Sequence, residues 1–567
     1  MRKFLFLLMF PVAAPCSAVM PETDLFLAGG ALQLCSDLQP KACSAPVQPP
    51  ENARKPAAFV FDSAGIERAL DPLLWRDAAA PDRMPLRALL QEASRRSKQA
   101  ALSADEADEL LDKLCGGAKP DEHIPCKNDE QPRAWRRLLD AERAAVMAAL
   151  EVPQIRSGQR AVERALPMSS RTEGGLDVVR AFVEAARAKA GGGKPRIAIV
   201  TASSFDPFDP VDFYVSLFDA LGAETSWWPI DAALNAALTG QADCAQLDAL
   251  RRTQLQLPAR ERVYPDLAAA QRTACENPQQ LAAVPEQVHG IFFGGGDQWR
   301  LRQALVDAED RPNAWLQALR RAHAAGRLVV GGTSAGAAVQ SGGAMLSNGS
   351  TEEALRSGPI ALAPPQAGCA RAQRCAPKLP EESFTWWRAG GTGLAAGATV
   401  DTHFSERGRE LRLLLLMHAS GTPFGYGADE TSALRVRQQA DHREIEAHGE
   451  HGGWVFERTQ RDASGAISAR VHYLAPGVSL RLDAERLSGP QTLSTKLDDA
   501  AIESPSDALA DGALRDAAQI LAAGRIPSLR LKAGNGSVTL LRTPQTRAWK
   551  SPRGNAGVLN LVLRYEQ

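Results

Sequence analysis

The sequence predicts an α/β fold with a largely parallel sheet. Three observations carry that expectation. Apolar, β-branched runs recur along the chain, most of them end at Gly or a turn, and helical spacing follows several of those turns. The expected strands are Asp24 to Ala28, Arg196 to Ala202, Val288 to Phe293, Leu328 to Val330 and Ala398 to Val400. The expected helices are Pro210 to Leu221, Gln298 to Ala308, Ala335 to Met345 and Arg407 to His418. In such sheets, function gathers where strands end and helices begin.

The N-terminus reads as a signal peptide over residues 1–18. Met1-Arg2-Lys3 is a positive n-region, Phe4 to Ala14 is apolar but too short to span a bilayer, and Cys16-Ser17-Ala18 offers small residues for cleavage. Pro15 argues against a lipoprotein reading of Cys16. Export to periplasm or exterior is therefore expected, with no membrane contact after cleavage. The remaining eight cysteines fall as neighbours: Cys35 and Cys43, Cys115 and Cys126, Cys244 and Cys275, Cys369 and Cys375. Four local disulfides are the simplest proposal for an oxidising compartment, although spacing alone does not fix the pairing. No CxxC pair and no HExxH is present, so neither zinc nor any other metal is expected.

At 567 residues the chain suggests about two to four domains. The α/β domain is expected over 19–436. Within it, about 31–170 is polar and helix-rich, with helical spacing at Pro85 to Cys115 and Pro132 to Leu150, and reads as an insertion. From 437 to 567 the pattern becomes strand-like, at Gly453 to Glu457, Ala469 to Leu474, Ser537 to Arg542 and Gly557 to Tyr565, and suggests a smaller β-rich module. Composition is globular: 44% hydrophobic and 23% charged. Lys and Arg total 65 against 66 for Asp and Glu, which gives no reason to expect nucleic acid or a polybasic membrane contact.

The sharpest chemical signal is Gly331-Gly332-Thr333-Ser334-Ala335-Gly336, preceded by an apolar strand and followed by a helix. Gly332-x-Ser334-x-Gly336 has the spacing of a nucleophile elbow, where small residues let a strand turn sharply into a helix. A structural tight turn is the competing reading. For a base, His403 stands directly after an expected strand. His289 reads as a core residue, and His323 and His418 lie near helix C-termini. His442, His448 and His451 cluster with Glu444, Glu446 and Glu450, and a solvated hairpin is preferred there over a metal site. An acid must orient the histidine. Glu352, Glu353, Asp401, Asp429 and Glu430 are candidates that sequence logic does not rank. Gly294-Gly295-Gly296-Asp297-Gln298 follows a strand and offers backbone N–H donors, so Gly296 and Ala335 form the expected oxyanion hole. No Gly-Lys-Ser/Thr follows and GxGxxG is absent, which argues against a nucleotide. Arg407, Arg409 and Arg412 would suit a substrate carboxylate, or would form a solvated helix face.

Together these motifs resemble the cyanophycinase family of serine peptidases, relatives of the aspartyl dipeptidases. The resemblance rests on 294–298, 332–337, Asp401-Thr402-His403-Phe404-Ser405-Glu406-Arg407-Gly408-Arg409 and Gly427-Ala428-Asp429-Glu430-Thr431-Ser432-Ala433, in that order, with Ile199 to Ser203 earlier. It covers roughly Leu176 to Val436 plus the first strand. It implies a class I glutamine amidotransferase-like three-layer sandwich, Ser334 as nucleophile and His403 as base. It implies Glu352 as the third member, with Glu353 as near rival. Gln298, Arg407, Arg409, Arg412 and Glu430 match substrate-binding positions, and no cofactor is implied. The implied substrate is cyanophycin, poly-aspartate carrying arginine on its β-carboxyls, and the implied product is β-aspartyl-arginine. Thr402 departs from the family's Asp-Gln-His-Phe pattern and alters that subsite. Two further readings follow: a peptidase of other aspartyl or isoaspartyl peptides, and a non-catalytic binding protein on the same fold. A homodimer is the assembly this reading allows.

Overall fold

The computed structural model describes residues 22–75, 83–114, 135–240, 242–439, 442–483, 487–488, 504–551 and 556–567. The expected signal peptide lies outside them, as do Cys115 and Cys126. The chain is mixed α/β. Its first strand, β1 (Thr23–Ala28), is buried along nearly its whole length. The insertion then folds around its own core. Helices α1 (Arg83–Ser97), α2 (Ala104–Leu114) and α3 (Asp140–Leu150) enclose Phe61, Leu90, Leu111, Trp135 and Val146. The single helical run expected from Pro85 to Cys115 is two helices. Lys98 and Gln99 take positive φ, and Ser103 and Glu106 cap the second helix through side-chain to backbone bonds in both directions.

Four further strands run parallel to β1. After α4 (Gly174–Lys189) come β2 (Arg196–Val200), α5 (Val211–Ala220), β3 (Glu224–Trp227) and β4 (Gly290–Phe293). Helix α6 (Ala314–Ala324) leads into β5 (Val329–Thr333). The order in space is β1-β5-β4-β2-β3. Alternation explains the two-sided burial. Phe26, Ile199 and Phe292 pack on Phe182 of α4 and Phe218 of α5, while Leu25, Val200 and Phe293 share a core with Leu316 and Leu319 of α6. The helix expected from Ala335 to Met345 is one turn, α7 (Ala335–Ala338). Met345–Asn348 is a strand instead, because the Gly342 amide turns away to the carbonyls of Ala395 and Ala398. Helix α8 (Thr351–Ser357) follows.

A second sheet starts with the parallel pair β6 (Ala398–Thr402) and β7 (Phe424–Ala428), joined by α9 (Glu410–Ser420). The chain then crosses to the first sheet, where β8 (Ser432–Gln438) pairs antiparallel with β1 and β9 (His442–Gly449) extends it. It returns for β10 (Gly453–Glu457) and β11 (Ile467–Leu474), then leaves again for β12 (Ser479–Asp483) beside β9. Helix α10 (Ala513–Ala522), β13 (Ser528–Ala533), β14 (Gly536–Lys550) and β15 (Ala556–Glu566) complete the second sheet in the order β6-β7-β10-β11-β15-β14-β13. The boundary expected after residue 436 therefore falls inside β8. The strands beyond it are shared between both sheets and do not form an appended module.

Three neighbouring cysteine pairs are bonded: Cys35–Cys43, Cys244–Cys275 and Cys369–Cys375. They are consistent with an extracellular protein. Among the described residues, no helix is long and apolar enough to cross a membrane.

Candidate active site

Ser334 sits between β5 and α7, at φ 52° and ψ −118°. A positive φ on a non-glycine residue is costly and needs support from its surroundings. Here the Ser334 amide donates to Ala28 O at 3.0 Å, and glycines remove the obstacles. A Cβ on Gly332 would stand 2.2 Å from Gly336 O, and one on Gly336 would stand 2.1 Å from Phe293 O.

His403 follows β6 and also takes a positive φ, 48°. Its amide donates to Gly29 O at 2.8 Å. Its Nε2 lies 2.8 Å from Ser334 Oγ, and its Nδ1 lies 2.6 Å from Glu430 Oε1. A carboxylate can only accept, so the tautomer that satisfies both contacts has Nδ1–H donating to Glu430 and Nε2 accepting from the serine hydroxyl. Burial pushes the imidazole below the ordinary histidine range; Glu430 opposes this and Arg407 adds to it. A neutral ring at pH 7 is the form that can take a proton.

Glu430 lies where the chain passes from β7 to β8. The carboxylate at His403 is thus Glu430, expected among the substrate-binding residues, and not Glu352, the expected third member. Glu352 is exposed on the first turn of α8, and Glu353 is paired with Arg356. Their helix is capped by Ser350, whose side chain accepts from the Glu353 amide.

The glycine loop after β4 runs beside the serine: a Cβ on Gly295 would be 3.5 Å from Ser334 Cβ. Gly295 N–H donates to Tyr214 Oη at 3.4 Å, and Asp297 N–H donates to Ser203 O at 2.8 Å. Gly296, at φ 140°, passes so close to Ser203 O that a Cβ would sit 2.2 Å from it. The amides of Gly296 and Ala335 make no hydrogen bond among the described residues.

The other expected substrate residues divide. Gln298 lines a cleft of ≈ 680 Å³ that opens from Gly296, and its Nε2 donates to Leu346 O at 2.9 Å. The opposite wall is Leu139, Asp140, Ala141 and Ala144 at α3, so the insertion forms part of this cleft. The loop closed by Cys369–Cys375 holds α3 there, with Arg374 bidentate on the buried carboxylate of Glu142 at 2.7 and 2.9 Å. Arg407 is exposed and makes no ion pair among the described residues. Arg412, in contrast, is committed inside the protein. It bonds Asp401 at 2.8 and 2.6 Å, with both side chains 3% exposed, and also donates to Gly349 O. Arg409 donates to Thr402 O at 2.6 Å and lies 3.6 Å from Asp401. Thr402 itself is buried. Of the three arginines, Arg407 alone projects an uncommitted guanidinium.

Sequence reasoning missed the support beneath the histidine. Gly29 and Gly30 follow β1, and a Cβ on Gly30, at φ 107°, would stand 2.3 Å from His403 Cε1. The Thr431 amide donates to Gly30 O at 3.0 Å, which ties the Glu430 segment to the same turn. The Gly-Gly pair after an apolar strand was the available signal. Among the described residues, Cys369, Cys375 and Glu381 come close enough together to resemble a metal site. Its sulfurs are bonded to each other, and Glu381 accepts the amides of Gly368 and Ala370. In the histidine cluster, His448 Nε2 lies 3.5 Å from Glu446, and both stand on the paired strand β9.

Fold and site together define a mixed α/β chain whose serine, histidine and glutamate form one continuous hydrogen-bonded line at strand ends. The chain is similar to curated cyanophycinases. It is 32% identical to that of Synechococcus elongatus over 164 residues, 29% of this chain and 41% of the relative. It is 26% identical to that of Trichormus variabilis over 256 residues, 45% of this chain and 61% of the relative. The chain thus matches less than two thirds of the length of these relatives. The resemblance read from the motifs is supported by them. No protein-family profile matches the chain. A solved structure of a peptidase from an acI-B1 Actinobacterium aligns at 16% identity with a TM-score of 0.28, covering 55% of this chain and 88% of that one.

Proposed function

We propose that this chain is an exported serine-type exopeptidase of the cyanophycinase kind, on a class I glutamine amidotransferase-like fold, that releases β-aspartyl-arginine from cyanophycin. The observation that carries the reading is the unbroken line from Ser334 Oγ through His403 to Glu430, at 2.8 and 2.6 Å. In the first step Ser334 Oγ bonds to the scissile carbonyl carbon while its proton passes to His403 Nε2. The free amides of Gly296 and Ala335 hold the oxyanion. His403 then gives the proton to the leaving amine as the C–N bond breaks, leaving an acyl-enzyme. Water, deprotonated by His403, releases the acyl group and restores the serine. Glu430 keeps the imidazole in the accepting tautomer. Arg407 and Gln298 face substrate, Arg407 as partner for a carboxylate. The three disulfides support export.

The test incubates purified protein with cyanophycin, with Ser334→Ala in parallel, and reads β-aspartyl-arginine by mass spectrometry. Release by wild type alone is expected, and equal release by Ser334→Ala overturns the mechanism. One observation favours a second reading, other aspartyl or isoaspartyl peptides: Thr402 replaces the family's glutamine and is buried. Cleavage of Asp-X dipeptides without release from cyanophycin would establish it.

A further inference from the structure

The hydrogen-bonded line does not stop at Glu430. The Glu430 amide donates to Glu406 Oε2 at 3.0 Å, and Glu406 Oε1 accepts from Arg515 Nη1 at 2.5 Å. The same Arg515 nitrogen lies 3.3 Å from Oδ2 of Asp429, the residue before Glu430. Asp429 is fully buried. Its Oδ1 accepts the Ser405 amide at 3.0 Å, and its Oδ2 lies 3.4 Å from Tyr473 Oη. One guanidinium thus holds two carboxylates, one of which grips the backbone of the residue at His403.

Arg515 is 109 residues beyond Glu406, on α10. That helix is fixed by packing: Leu514, Ala517 and Leu521 share a core with Phe404, Leu411 and Leu414, and the Gly512 amide donates to Ser405 O at 2.7 Å. Two carboxylates in one buried site repel each other, and without a cation one of them takes up a proton or swings away. Burial and the charge of Glu406 both push Asp429 up, and Arg515 opposes them.

We propose that Arg515 is a positioning residue for the Ser334–His403–Glu430 array, acting through Glu406 on the Glu430 backbone. This rests on the serine-peptidase reading above. It gives the C-terminal segment a part in the chemistry, apart from any role in capturing polymer.

The experiment uses the full chain as wild type, Arg515→Ala, Arg515→Lys, Glu406→Gln and the Arg515→Ala/Glu406→Gln double variant. Two rates are read: kcat and KM on cyanophycin, and inactivation by diisopropyl fluorophosphate, which reports serine reactivity without a peptide. Thermal unfolding is followed alongside. Arg515→Ala should lower kcat and the inactivation rate about 100-fold, the cost of misplacing a reacting group by about 1 Å, with KM nearly unchanged. Arg515→Lys should recover most of the loss, and the double variant should be no slower than the slower single variant. A folded Arg515→Ala with wild-type rates overturns the proposal, as do fully additive losses in the double variant. If Arg515→Ala does not fold, Arg515→Lys and Glu406→Gln decide: wild-type kcat in both overturns it. A wild type that neither turns over cyanophycin nor reacts at Ser334 overturns the peptidase reading itself. That result differs from an active wild type indifferent to Arg515.

Discussion

The two sheets bring different things to the site. The first sheet supplies Ser334 at the end of β5 and the glycine loop after β4, both set by close contacts between neighbouring strand ends: Gly336 against Phe293 O, Gly296 against Ser203 O and the Ser334 amide on Ala28 O. The second sheet supplies His403 at the end of β6, and its place depends on partners from elsewhere: Gly29 and Gly30 after β1, Glu430 from the crossing segment, and Glu406 beyond them. The serine turn is thus held among neighbouring strand ends of one sheet, while the histidine is held by segments that join both sheets.

Perturbing the second-sheet side should expose that dependence. The largest effect is expected at Glu430. Glu430→Gln replaces the acceptor-only carboxylate with an uncharged amide whose NH2 can donate to Nδ1 and favour the wrong tautomer, and should lower kcat about 10,000-fold, by analogy with the third member of serine triads. Glu352→Gln should stay near wild type. A steady-state comparison of the two variants decides between the carboxylates. Gly30→Ala comes next. Its Cβ would collide with His403 at a φ that L-residues avoid, so kcat should fall about 100-fold and the fold should lose about 1–3 kcal/mol, read by kinetics and urea unfolding. The smallest effect is expected at Arg407. Its charge lowers the His403 pKa, and the base works only when neutral, so activity is lost as pH falls through that pKa. Arg407→Ala should therefore move the acid limb of the kcat/KM profile to higher pH, by less than about one unit. A limb that stays put would separate Arg407 from the histidine.

The same contrast explains what could be read from the sequence. The parallel strands and the serine turn were legible because apolar runs and Gly spacing are local signals. Ser334 and His403 were both marked by the strands that precede them. Glu430 was one of five unranked acids because its partner depends on how the chain crosses between sheets, which spacing does not encode. Arg412 looked like a substrate ligand beside Arg407 and Arg409. It is instead neutralised by Asp401, 11 positions earlier on a different element. The C-terminal strands were recognisable as strands, but their sharing between two sheets has no sequence period.

The pairing of β1 also bears on timing. Asp24 bonds Arg435, 411 residues away, and the glycines after β1 bind the segment that carries Glu430. A chain still emerging from the ribosome has made its first strand long before either neighbour of that strand exists. The serine turn can form while His403 and Glu430 are still absent or unplaced. The Ser334–His403–Glu430 array therefore closes late, after contacts of very high sequence separation have formed. A product that ends before Glu430 would carry Ser334 and His403 without the carboxylate at Nδ1 and without β8 beside β1.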